Sequence, residues 1–219
     1  MAAKSIKSRV KIRRSDRRRD RTRQALLSAG RALFAARDVD GVSVDEIVAA
    51  AEVAKGSFYN HFSDKDVFAR EIAAAVRRQA EQLVNAANAR IEDPAIHLAR
   101  AMCVFVRFAI EHRDSARVLW KLNSGATMVD APINRDLREV VQMGIKNDRF
   151  KHVDLETGVL LVMGVIVIAL RHVLEERLVT PPVTVAINMA AGLLRTLGIP
   201  PVQARDLAQA AAQELLIAD

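Results

Sequence analysis

Lys55, Ser57, Tyr59, Asn60 and His61 stand within one seven-residue stretch and share an outward hydrogen-bonding chemistry. A lysine reaches the O6 and N7 acceptors of guanine, and an asparagine pairs with N6 and N7 of adenine. Base readout is therefore expected from Lys55, Ser57 and Asn60, with Val44 placed to meet a thymine methyl. Tyr59 suits a phosphate oxygen, a contact that positions a protein without reading sequence. No comparable set exists for catalysis. His61, His97, His112, His152 and His172 show no i,i+3 or i,i+4 pairing with one another or with Cys103, so no metal site is expected. No glycine-rich phosphate loop appears, and neither a catalytic residue nor a cofactor is expected. Cys103 reads as a small buried hydrophobe.

Two short helices must hold these side chains. Ser43 is a good N-cap and Glu46 stands three residues on, the spacing of a capping box. Ile47, Ala50 and Ala51 supply an apolar stripe, the break falls at Glu52-Val53, and a second helix runs from about Lys55 to His61. That second helix buries little beyond Phe58 and Phe62, which read as core. One bracing helix and one with free polar side chains is the asymmetry of a helix-turn-helix. Ahead of it, from about Asp16, Leu26, Leu27, Gly30, Leu33 and Phe34 recur at helical steps and are expected to pack on the pair.

The order and spacing of Leu33-Phe34, Ser43, Ile47, Ala51, Val53, Gly56-Ser57, Tyr59, His61-Phe62 and Lys65 resemble the DNA-binding domain of the TetR (tetracycline-repressor) family of bacterial transcriptional regulators. The resemblance is dense at residues 24–68 and looser beyond. It implies phosphate contacts from Tyr59, His61, Lys65 and the helix start at Ser43-Val44, with Gly56 in the same surface. Four positions depart from the family's pattern. Asp38 and Glu52 stand where glycine is usual, Val48 where alanine is, and Ala54 where a hydroxyl could cap the second helix. Glu52 is expected to cost about 1 kcal/mol if its φ is positive.

Charge is concentrated at one end. Residues 1–23 hold eleven Lys/Arg against two acids, so they carry +9 while the chain totals +7 and the other 196 residues sum to −2. A solvated leader, a polybasic membrane anchor and a nucleic-acid arm all share this composition. Beside a helix-turn-helix the third is favoured, because each Lys/Arg–phosphate contact releases counterions. A basic disordered arm is expected over 1–19, with Arg17, Arg18 and Arg19 among residues entering the flanking minor groove. No apolar segment follows the basic start as in a signal peptide, and the longest apolar run, Gly158 to Leu170, is thirteen residues. One cysteine excludes an internal disulfide. A cytoplasmic protein without membrane contact is expected.

The remainder reads as helices, giving an all-α chain: a helix-turn-helix domain at 20–64 and a helical ligand-binding and dimerisation domain at 65–219. A long helix after Ser63-Asp64 carries Phe68, Ile72, Val76, Ala80, Leu83 and Ala87 and couples head to body. Further helices start at Pro94, Asp114, Asp130-Ala-Pro132, Thr180-Pro181-Pro182 and Pro200-Pro201. Gly144 with Asp148-Arg149-Phe150 again resembles the family, with Asp148 in place of glycine. The run 158–174 is β-branched enough for a strand, but its length and acidic first turn favour a helix. A helix apolar all round needs cover, and the same helix pair of a second subunit is the simplest cover, in a two-fold four-helix bundle. TetR-family proteins similarly dimerise through their last two large helices. Gly158, Leu161, Val165, Ile168, Ile187, Ala190 and Leu194 are the expected interface.

The resemblance also implies an inducer site in the body. Met102, Cys103, Val106, Ile110, Trp120, Met128, Val140, Met143 and Met163 are candidate lining, each with ordinary core as its competing reading. With 4% aromatic residues and one Trp, a flexible lipophilic ligand is favoured over a stacked planar one. The expected function is a homodimeric regulator, a repressor released from a palindromic double-stranded operator by a small lipophilic molecule. The rival is a helical protein-interaction sensor that has lost operator binding.

Overall fold

Side-chain capping and ring packing define the first part of the chain. The computed structural model describes residues 2–122, 134–175 and 179–217, with side chains from residue 16. A first helix, α1, covers Ala2–Ala36, and a short turn of 3-10 helix covers Val39–Gly41. Helix α2 spans Val44–Ala50, α3 Lys55–Tyr59 and α4 Lys65–Asn88. The backbone is thus helical where a disordered arm was expected over 1–19. Residues 2–23 contain neither proline nor glycine and are rich in Arg and Lys, both strong helix formers.

Phe34, Phe58, Phe62 and Phe68 are buried together as the aromatic core of this unit. Phe68 stands edge-on to Phe62 at 4.7 Å, to Phe58 at 5.2 Å and to Phe34 at 5.9 Å, the arrangement that ring quadrupoles favour. Gly30 admits this cluster, since the ring of Phe68 occupies the place of a Cβ there. Compact packing divides the chain between Ala75 and Val76, inside α4, rather than between residues 64 and 65.

The second unit is built on α5, Pro94–Glu111, which Asp93 caps through the amide of Ala95 at 2.8 Å. Helices α6 (Arg113–Lys121), α7 (Arg135–Lys146), α8 (Leu155–Leu174), α9 (Pro182–Thr196) and α10 (Pro201–Ala212) complete it, followed by a π-helical turn, Gln213–Ile217. No strand occurs among the described residues, and the 158–174 run is helical. Asp114 lies inside α6 rather than capping it; His112 is the N-cap and makes no side-chain cap bond. The expected helix start at Asp130-Ala-Pro132 lies outside the described residues.

The Asp148-Arg149-Phe150 segment has a clear internal role. Asp148 takes the left-handed conformation, φ +52°, that glycine would take more cheaply. Arg149 then reaches Asp93, with Nη2 2.9 Å from a carboxylate oxygen, and the ring of Phe150 fills the place of a Cβ on Gly144. Arg100, buried, donates to the carbonyl of Ala87 and to the carboxylate of Glu214, tying the end of α4 to the last turn.

Helix α8 uses its all-round apolarity in three ways. Val159, Ala169 and Val173 are buried in the core, Val162, Met163, Ile166 and Val167 face a cavity, and Leu160 and Ile168 remain 39% and 56% exposed. At twenty residues it is long and apolar enough to cross a membrane by length and composition, more than the thirteen-residue run suggested.

Candidate nucleic-acid interface and body cavity

Ser43 and Glu46 form the reciprocal capping box. The Ser43 hydroxyl accepts from the Glu46 amide at 3.2 Å, and the Ser43 amide donates to Glu46 Oε2 at 2.8 Å. These bonds, with Arg37 donating to Oε1 at 2.7 Å, hold the Glu46 carboxyl down at about 2, led by the Ser43 amide. The Ser43 side chain is therefore committed to starting α2. Val44 is half-buried beside it.

The turn to α3 carries the departures noted in the sequence. Glu52 has φ +56°, so it bears the left-handed strain anticipated for it. Asp38 has φ −70° and bears none. Ala54 is the N-cap of α3 and offers no side-chain cap bond. On α3 itself Phe58 is wholly buried, while Lys55, Gly56, Tyr59 and Asn60 are exposed and Ser57 is half-buried. Tyr59 leans edge-on against Phe58 at 5.4 Å with its residue 54% exposed. Gly56 has an ordinary backbone and open space where a Cβ would stand, so none of the described residues requires glycine there.

Two of the expected contacts are already engaged. Lys55 Nζ pairs with Asp45 Oδ1 at 2.7 Å, an acidic neighbour on α2 that the reading of α3 alone had missed. Lys65 Nζ donates to the carbonyls of Val39 at 2.8 Å and Val42 at 3.1 Å. Lys65 thus fastens the loop ahead of Ser43, and these bonds use two of the three donors that could serve the expected phosphate contact. His61 is half-buried, and burial, then Arg19 and Arg23, lowers its pKa, which favours the neutral ring. Arg17, Arg18 and Arg19 are exposed on α1. Arg23, one helical turn on, pairs with Glu71 and lies over the Phe62 ring at 5.7 Å.

The second unit contains a cavity of about 160 Å³ among α4, α5, α6, α7 and α8, open to solvent on one side. Of the expected lining, Trp120, Val140 and Met163 face it. Met102, Cys103 and Val106 do not: they lie on the opposite side of α5, fully buried. The side that does face the cavity carries His97, Leu98, Ala101 and Phe105, an i, i+4, i+8 stripe. Ile110 is 48% exposed and Met143 stands outside the lining. Met128 lies outside the described residues. Burial pushes the Cys103 thiol up to about 12, so it has no reactive thiolate.

The expected interface residues also separate. Leu161, Val165 and Ile187 are half-buried and Ile168 is exposed. Ala190 and Leu194 are fully buried in their own chain, and a Cβ on Gly158 would stand 2.7 Å from Val141. These three belong to the internal core. A helix apolar on every side gives the sequence no means to fix its rotation. Among the described residues no group of three or more His, Cys, Asp or Glu could hold a metal.

An aromatic head that braces one polar helix with another, in a chain whose second unit is all-α and holds a cavity, has the geometry of a helix-turn-helix protein. Residues 26–72 match the family model described as bacterial regulatory proteins, tetR family, and residues 93–210 match a tetracyclin repressor-like C-terminal domain. The chain belongs to the TetR family of bacterial regulatory proteins. It is 33% identical over 92 residues to the HTH-type transcriptional repressor DhaR of Mycobacterium sp. (strain GP1), covering 42% of this chain and 45% of that one. The chain spans about half the length of the curated relatives it matches. The structure of RolR with resorcinol is similar at TM-score 0.64 and 25% identity, over 88% of this chain and 95% of that one. CprB of Streptomyces coelicolor, in complex with its biological operator sequence, shares the fold at TM-score 0.65 and 21% identity, over 92% of this chain and all of that one.

Proposed function

We propose that the chain is a homodimeric repressor that binds a palindromic operator and leaves it when a small molecule enters the body cavity. The observation that carries this reading is the division of labour on α3. One residue, Phe58, anchors the helix, and Ser57 and Asn60, with Lys55 once it leaves Asp45, are available to meet base edges, with Tyr59 and His61 beside them for phosphates. The open position at Gly56 supports close approach by an external backbone. The slightly acidic remainder of the chain gives the basic stretch 1–23, with Arg17, Arg18 and Arg19, the task of supplying electrostatic attraction.

Dimerisation is supported by the apolar strip of α8. Leu160, Leu161, Val165 and Ile168 follow helical spacing, and Gly164 between them has open space where a Cβ would stand. A matching helix pair covers such a strip and sets two heads on successive turns of DNA, about 34 Å apart. On this reading the apolarity of α8 serves a subunit contact and the protein works in the cytoplasm, where operators lie. Release follows if the ligand binds one arrangement of α4 more tightly than the other. RolR with resorcinol and CprB with its operator offer precedents in fold for both halves of the cycle.

Selection of bound sequences from random duplexes tests the reading. Enrichment of a palindrome with half-sites about one helical turn apart is expected. Absence of any enriched sequence would favour the protein-interaction sensor instead.

A further inference from the structure

The cavity has two kinds of wall, and together they specify a ligand. Its body is apolar, with Leu98, Ala101, Phe105 and Trp120 on one side and Val162 and Ile166 of α8 on the other. Its size, about 160 Å³, is close to the roughly 150 Å³ of a dry apolar cavity that takes up benzene. A single ring fills such a space, whereas a long acyl chain fits only by running out through its open side. The only tryptophan of the chain and Phe105 both line it, so the low aromatic content of the sequence is misleading about the site.

The polar wall is formed by His97, Asn134 and Asp136, with Arg77 and Glu81 further along α4. Arg77 donates from Nε to Glu81 at 2.6 Å, so its charge is balanced within the same helix. His97 is half-buried; burial, then Arg100, lowers its pKa, opposed by Asp136, which leaves the ring neutral near pH 7. Among the described residues the lining therefore holds one cation against two carboxylates. An anionic ligand meets a net negative lining, and the cations just outside it are engaged: Arg135 with Asp136 at 3.4 Å and Arg171 over the Trp120 ring at 5.1 Å. A ligand that donates a hydrogen bond meets two acceptors, the unprotonated ring nitrogen of His97 and the carboxylate of Asp136.

From this geometry we infer that the cavity binds a neutral, single-ring hydroxylated molecule of the phenol class, its ring against Phe105 and Trp120 and its hydroxyl toward His97 and Asp136. The inference rests on the proposed ligand-responsive function and names the ligand's chemistry. It also names the point of action. Asp136 accepts from Asn85 of α4 at 3.3 Å, a long bond. A hydroxyl that donates to Asp136 competes with α4 for the same carboxylate.

Calorimetric titration of the full chain with phenol, resorcinol, toluene, benzoate and octanoate tests this. Phenol and resorcinol are expected to bind at least about tenfold more tightly than toluene, which lacks the donor, and than benzoate, which is charged. Ala101→Phe, which fills the cavity, is expected to abolish binding. Asp136→Asn, at the exposed rim, is expected to weaken phenol severalfold and leave toluene unchanged. Tighter binding of octanoate or benzoate, unaltered phenol affinity in Ala101→Phe, or no binding of either phenol at millimolar concentration would overturn the inference. A gel-shift with the selected palindrome separates the two levels. Phenol binding without release of the duplex defeats the repressor reading alone, and release by octanoate or benzoate but not by phenol defeats the ligand class alone.

Discussion

The head and the body solve opposite packing problems. The head closes four phenylalanine rings into a small solid core, and every ring centroid lies within 6 Å of another. The body, with many more residues, keeps a hole of about 160 Å³ and leaves part of α8 bare. Solidity holds a rigid reading surface. Incomplete packing is what a body needs if a ligand and a second subunit are to finish it.

The largest expected effect lies in the head. Phe58→Ala removes the one anchor of α3 and should cost about 3–5 kcal/mol. Hydrogen exchange is the appropriate readout: protection should collapse over residues 26–72 and persist in α5, α8 and α9. Equal loss in both units would mean that they fold as one. The body's counterpart is Gly144→Ala, where the new Cβ falls on the Phe150 ring. Overpacking there should cost about 1–3 kcal/mol in chemical denaturation, with α3 protection unchanged.

Smaller effects probe the local design of the reading helices. Ser43→Ala removes the cap of α2 and should cost about 1 kcal/mol at neutral pH. The folded-state pKa of Glu46 is lowered from an ordinary 4.5 to about 2, so its contribution is present above 4.5 and is lost as pH falls through about 2. The difference between wild type and Ser43→Ala in denaturation should therefore narrow over that window. The smallest change goes the other way. Glu52→Gly relieves a left-handed glutamate and should stabilise the head by about 0.5 kcal/mol, read as a small rise in melting temperature; a fall would show that φ +56° is not strained.

The same contrast explains what could be read in advance. The capping box, the break near Glu52 and the burial of Phe58 are set by neighbours a few residues apart, and local spacing carries that information. The positive φ at Glu52 was signalled by an acidic residue standing where glycine is usual, and Asp148 follows the same rule, but Asp38 does not. Rotation of the body helices was not signalled. Along α5, apolar residues occur on both sides, so Met102, Cys103 and Val106 were as plausible a lining as Leu98, Ala101 and Phe105. Only tertiary packing separates them. Ala190 and Leu194 failed as interface residues for the same reason, and the polar stretch 1–23 carries no apolar stripe that would mark a helix. The internal bonds of Lys65 were not legible because its carbonyl partners, Val39 and Val42, lie more than twenty residues away.

The central claim is that α3 supplies most of the sequence reading while its surroundings mainly hold phosphates. Fluorescence anisotropy with the selected palindrome and with a scrambled duplex tests it, using the combined Lys55→Ala, Ser57→Ala and Asn60→Ala variant. Loss of about 100-fold or more on the palindrome, with less than about threefold change on the scrambled duplex, is predicted. Equal losses on both duplexes, or none on the palindrome, would contradict the account.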